Sequence, residues 1–93
     1  MKAVLRGHVI ADSDDVVEAG GYHYFPPNSV RQKWLEKAPV TDADRGCPHG
    51  VQFYDVVIDG RRDVRAAWSY EAPSAALEKV AGWFGFWENV TLG

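Results

Sequence analysis

Two runs rich in β-branched and aromatic residues, Val51 to Ile58 and about Arg61 to Tyr70, flank the dipeptide Asp59-Gly60. Asp-Gly between such runs signals a two-residue hairpin, because both central positions of the favoured turn take positive φ. A long antiparallel ribbon follows, and the rest of the chain has to cover it. In the first run Gln52, Tyr54, Val56 and Ile58 share one face, and Val51, Phe53, Asp55 and Val57 share the other. Both faces are partly apolar, so this strand is covered on both sides or borders a cavity. In the second run Ala66, Trp68 and Tyr70 project one way. The hairpin places Trp68 within two or three residues of the level of Val51 and Gln52, and so near the turn that holds Cys47.

The flanking segments supply the cover. Lys2 to Ala11 reads as a strand closed by Asp12-Ser13-Asp14-Asp15, a cluster of solvated turn formers, and Val16 to Ala19 as a second strand. Gly20-Gly21 is a turn, and Tyr22 to Phe25 a third strand stopped by Pro26-Pro27. Ser29 and Gln32 have the capping-box spacing, which with Val30, Trp34 and Lys37 predicts a short helix closing before Pro39. Thr41 to Gly46 reads as an acidic loop. Ser74 is placed to cap a helix over 75–81 that Gly82 ends. Trp83-Phe84-Gly85-Phe86-Trp87 reads as a buried strand in which Gly85 allows close backbone approach, and 90–92 as the segment that finishes the sheet. The expectation is a mainly β fold of two small antiparallel sheets plus two short helices.

At 93 residues the chain is expected to be one domain, 1–93, with a single core. Four Trp, four Tyr and four Phe supply the bulk for it. The net charge of −3 argues against a nucleic-acid partner, since phosphate binding needs a basic face. One cysteine excludes an internal disulfide and fits a reducing compartment. The opening residues, broken by Arg6, Gly7 and His8, do not form a signal peptide, and no apolar run is long enough to cross a membrane. A cytoplasmic protein is the expectation.

Reactive groups converge in Gly46-Cys47-Pro48-His49-Gly50 leading into Phe53-Tyr54. A nucleophilic Cys47 needs a nearby base or a helix N-terminus, and His49 meets it only if Pro48 turns the chain; the alternative is a buried structural thiol. Zinc sites use three or four ligands with paired spacing, and Cys47, His49, His8 and His23 contain no such pair, so neither metal nor cofactor is expected. Arg61, Arg62 and Arg65 are suited either to an anionic substrate or to protecting a sheet edge. Glu71 is a candidate acid or base without a paired carboxylate.

The pieces Val9-Ile10-Ala11-Asp12-Ser13, Tyr24-Phe25-Pro26-Pro27, Cys47-Pro48-His49-Gly50, Ala67-Trp68-Ser69-Tyr70-Glu71-Ala72-Pro73 and Gly82-Trp83-Phe84-Gly85-Phe86-Trp87 fall in the order and spacing of a known family. The chain resembles the bacterial and fungal domain-of-unknown-function 427 family across nearly its whole length. At His49 it departs from a pattern that usually has a basic residue there. A nucleotidyltransferase label sometimes attached to that family finds no paired aspartates or phosphate loop in this sequence. The resemblance implies a β-tent, two antiparallel sheets pinned at one edge, as in methionine-R-sulfoxide reductases and the cereblon drug-binding domain. Such relatives commonly pin the sheets with four zinc cysteines; with one cysteine, the aromatic core must replace the metal here. Some also hold a Trp-lined ligand cage between the sheets.

Three functional expectations follow. The first is a pocket for a small planar molecule, lined by Trp68, Tyr70, Tyr54, Cys47 and His49. The second is a cysteine-dependent enzyme with Cys47 as nucleophile and His49 or Glu71 as proton carrier. The third is an interaction module that forms a homodimer through the strand from Trp83 to Trp87.

Overall fold

The computed structural model describes residues 1–46, 50–72, 75–87 and 89–93, with the backbone alone at 75 and 76. Short turns through positive φ set its topology. Arg6 and Gly7, at φ 49° and 79°, fold the run expected as one strand into a hairpin of β1 (Lys2–Leu5) and β2 (His8–Asp12). Gly20-Gly21 joins β3 (Val17–Ala19) to β4 (Tyr22–Tyr24), as expected.

The segment after Pro26-Pro27 departs from the expected helix. It forms two single 3-10 turns, Pro27–Ser29 and Gln32–Trp34, and then β5 (Leu35–Lys37). Ser29 does not cap: its hydroxyl donates to the Pro26 carbonyl, and the Gln32 amide donates to the Pro27 carbonyl. So short a helix is marginal alone, and pairing Leu35, Glu36 and Lys37 with Val56, Asp55 and Tyr54 gains a sheet edge instead. The capping box lies in the stretch expected as a loop. There Thr41 and Asp44 bond each other's backbone N–H groups and start the one-turn helix α1 (Asp42–Arg45).

The predicted hairpin is present as β6 (Val51–Ile58) and β7 (Arg61–Tyr70), turned by Asp59 and Gly60 at φ 52° and 79°. Its ladder is interrupted once. One residue, Asp55, lies between Tyr54 and Val56, against three, Val64 to Ala66, between their partners Asp63 and Ala67. Arg65 takes φ 53° in this bulge. Beyond it Phe53 faces Trp68 and Val51 faces Tyr70.

Residues 75–80 form a 3-10 segment rather than an α-helix, and the Ser74 cap lies outside the described residues. The aromatic segment forms β8 (Phe84–Phe86), buried throughout, and β9 (Thr91–Leu92) pairs with β1. The fold is mainly β. It has a three-stranded sheet in the order β2-β1-β9, a four-stranded sheet β5-β6-β7-β8 and the β3-β4 ribbon.

The four-stranded sheet separates two apolar clusters. On one face Tyr54, Val56, Ala67, Phe84 and Phe86 pack with Ala3, Leu5 and Ile10 of the three-stranded sheet. On the other, Trp68 packs with Tyr24 and Val80, joined by Phe53, Tyr70 and Trp83. The outer edge of β8 is closed by Phe25, whose N–H and carbonyl both bond Phe84, at 2.9 and 3.0 Å. The backbone groups of Phe84 are therefore already paired within the chain.

Candidate functional site

Trp68 sits at the centre of the second face. Its direct neighbours across the sheet are Phe53 on β6 and Gly85 on β8. Gly85 is required by space: a Cβ there would lie 2.6 Å from Cζ2 and 2.7 Å from Cε2 of Trp68. The indole thus lies directly over the glycine and is only 3 % exposed. Its edges are met by rings from three other elements. Tyr22 of the ribbon stands nearly perpendicular to it at 5.0 Å, Trp87 just after β8 meets it at 5.0 Å and 47°, and Phe53 at 6.5 Å and 49°. Tyr22 is also nearly perpendicular to Trp87, at 5.8 Å.

These rings border an open cavity of about 110 Å³, lined by Tyr22, Val51, Phe53, Trp68, Tyr70 and Trp87. It is small. At about 30 Å³ per water molecule in the liquid, it has the volume of three to four waters. Trp87 and Tyr22 form its rim at 38 % and 39 % exposure. A larger depression of about 380 Å³ lies between β2 and the turn from Asn28 to Arg31. Its wall is largely two strands of chain joined through Ala11 and Val30, and it lacks an aromatic lining. The aromatic cavity is the better candidate because several large side chains from separate elements converge on it.

Polar chemistry near the cavity is sparse. The Trp68 Nε1–H is buried and has no hydrogen-bond partner among the described residues. It lies close enough to the Tyr24 hydroxyl to influence its acidity, yet outside hydrogen-bonding geometry. Burial pushes the Tyr24 phenol up to about 12; Trp68 pulls it the other way, and Tyr70 and Tyr22 add to the rise.

Behind the cavity an ion pair holds one wall. The Arg65 guanidinium stacks 3.9 Å from the Phe53 ring centroid and donates to both Asp44 carboxylate oxygens, at 3.1 and 2.8 Å. The contact with Arg65, aided by the Thr41 N–H, holds the Asp44 carboxyl well below its ordinary 3.8. Because the folded value is depressed, the stabilisation is present above the unfolded value of 3.8 and is lost as pH falls below it. Asp44→Asn should therefore be less stable than the parent at about pH 7, with the gap narrowing by about pH 2.5, in urea titrations. An equal gap at both pH values would remove the carboxylate's charge from the account.

The structure brings Trp68 and Tyr70 together as expected and sets Tyr54 apart. Directly opposed residues share a face, so Tyr54, opposite Ala67, points away from Trp68 and packs edge-on against Phe84 at 5.3 Å. Burial, with a smaller effect from Glu71, raises its phenol pKa. Cys47 and His49 lie outside the described residues. Glu71 is exposed, just beyond Tyr70, with its N–H donating to the Gly50 carbonyl. Tyr22, Phe53 and Trp87 complete the cavity and were not singled out by sequence reasoning. Phe53 could have been found by carrying the face shared with Val51 across the hairpin to Trp68.

Of the arginines considered for an anion, Arg62 pairs with Asp55 and Glu36 and Arg65 with Asp44. Among the described residues, no three His, Cys, Asp or Glu side chains gather as a metal would require, and no helix is long and apolar enough to cross a membrane.

The family comparison agrees with the resemblance read along the chain. A family model described as a domain of unknown function, DUF427, matches residues 1–92. No curated protein matches the chain. With the match covering all but the last residue, the chain belongs to the DUF427 family.

Proposed function

We propose that this domain binds a small molecule by inserting one compact group of it into the aromatic cavity around Trp68. The observation that carries the reading is the convergence of five rings, from β4, β6, β7 and the end of β8, on one open volume. A chain that needed these rings only for burial would pack them against each other without leaving room for a ligand. A planar ligand was the expectation; the contacting pairs among Tyr22, Phe53, Trp68 and Trp87 meet at 47° to 85°, so a flat group would stack on one of these rings rather than between two of them. The cavity is also well below the roughly 300–1,000 Å³ of sites that engulf a whole drug-sized ligand, so most of the ligand would lie outside it.

A thermal-shift and tryptophan-fluorescence screen of a broad metabolite library is the test. At least one compound should raise the melting temperature, and Trp87→Leu should abolish that response. A library without a single hit, or hits indifferent to Trp87→Leu, would overturn the reading.

A further inference from the structure

We infer that the group the cavity takes is a methylated ammonium, such as the head of choline or of a betaine. This rests on the proposed binding function and specifies its ligand class. Three observations carry it. Tyr22 is nearly perpendicular to both Trp68 and Trp87, with these two inclined at 47°, so the three rings meet at steep angles and do not stack in parallel. Two indoles and three further rings around one small volume suit a compact cation, which the negative face of an aromatic ring attracts, Trp most strongly. The volume of about 110 Å³ admits a head group of a few heavy atoms but not a nucleobase with its sugar.

The lining residues add nothing that competes. None of Tyr22, Val51, Phe53, Trp68, Tyr70 and Trp87 carries a charge, so among the described lining residues no lysine or arginine repels a cation. The protein already uses this chemistry on one wall, where Arg65 stacks over Phe53. A quaternary ammonium has no N–H to satisfy and little hydration to lose, so a cavity whose described lining side chains carry no carboxylate can still bind it; a primary ammonium there would find only the Tyr22 and Tyr70 hydroxyls as side-chain acceptors among the described lining residues.

The test compares choline with 3,3-dimethyl-1-butanol, its neutral isostere, by calorimetry and by the indole N–H signals of ¹⁵N-labelled protein. Choline should bind at least tenfold more tightly and should shift the Trp68 and Trp87 signals while leaving Trp34 in place. Trp87→Leu should weaken choline about tenfold and Trp87→Phe much less, since the second keeps a ring at a half-exposed rim where folding is not at risk. Phosphatidylcholine vesicles at matched head-group concentration form a second arm. A stronger response to them assigns the head group to a lipid, an equal or weaker one to a free amine, and either supports the inference. Equal binding of choline and the isostere, or no binding of choline, overturns it. If library compounds then still bind in a Trp87-dependent way, the ligand class alone is wrong; if none does, the binding function falls with it.

Discussion

Gly85→Ala is expected to destabilise the domain by about 3 kcal/mol, the upper end for overpacking a core. The φ of Gly85 is not positive, so backbone conformation is not the reason. The cost is steric: the new methyl would meet the Trp68 six-membered ring at 2.6 Å, and Trp68 is held on its other edges by Tyr22, Trp87 and Phe53. At roughly 4–8 °C per kcal/mol for a domain of this size, the melting temperature should fall by about 12–24 °C. In a Trp68→Phe background, where the smaller ring vacates that space, the same glycine substitution should cost clearly less. Calorimetric melting of the four proteins in this cycle decides the matter. A loss below about 1 kcal/mol from Gly85→Ala alone would mean that the indole shifts freely and is not clamped.

Asp55→Ala should be nearly as damaging, at about 2–3 kcal/mol, through a different mechanism. Asp55 is a buried carboxylate at the bulge, where Oδ1 accepts the Arg65 N–H at 2.9 Å and Oδ2 accepts Arg62 at 2.6 Å. Truncation leaves the Arg65 N–H without its acceptor just where φ is positive on a residue with a side chain. The Arg62 contact contributes less, because that guanidinium is 45 % exposed and screened by solvent. Asp55→Asn should therefore cost only about 1 kcal/mol, since the amide oxygen still accepts from Arg65 while the amide nitrogen opposes Arg62. Guanidinium unfolding of both variants measures the difference. If the two lost equal stability, the backbone contact would be irrelevant and the ion pair would explain the whole effect.

The two predictions also separate what sequence reasoning can reach from what it cannot. The turns at Gly20-Gly21 and Asp59-Gly60 were legible because glycine relieves the positive φ that the turn imposes. Arg6-Gly7 obeys the same rule, but Val4, Val9 and Ile10 on either side alternate well enough to read as one strand. The bulge left no sign, because its positive φ falls on Arg65, a residue type that carries no turn signal. The stretch 29–37 carries a real capping-box spacing, and the unfilled edge of β6 outweighed it. Trp68 and Tyr70 followed from alternation within their own strand, and the special role of Gly85 from a glycine set among large aromatic residues. Tyr22 and Trp87 did not, because they reach the cavity only through packing of the ribbon and the end of β8, contacts between distant parts of the chain.

The extra residues at the bulge carry a consequence for how the domain tolerates changes in length. They number two, so pairing beyond the bulge slides by a whole pleat and every side chain of β7 from Ala67 to Tyr70 keeps its side of the sheet. A single added or deleted residue between Arg61 and Ala66 would instead turn Trp68 toward Tyr54 and Phe84 and send Ala67 to the cavity. Length variation in this arm is therefore quantised, with even steps compatible with the aromatic cavity and odd steps turning it inside out.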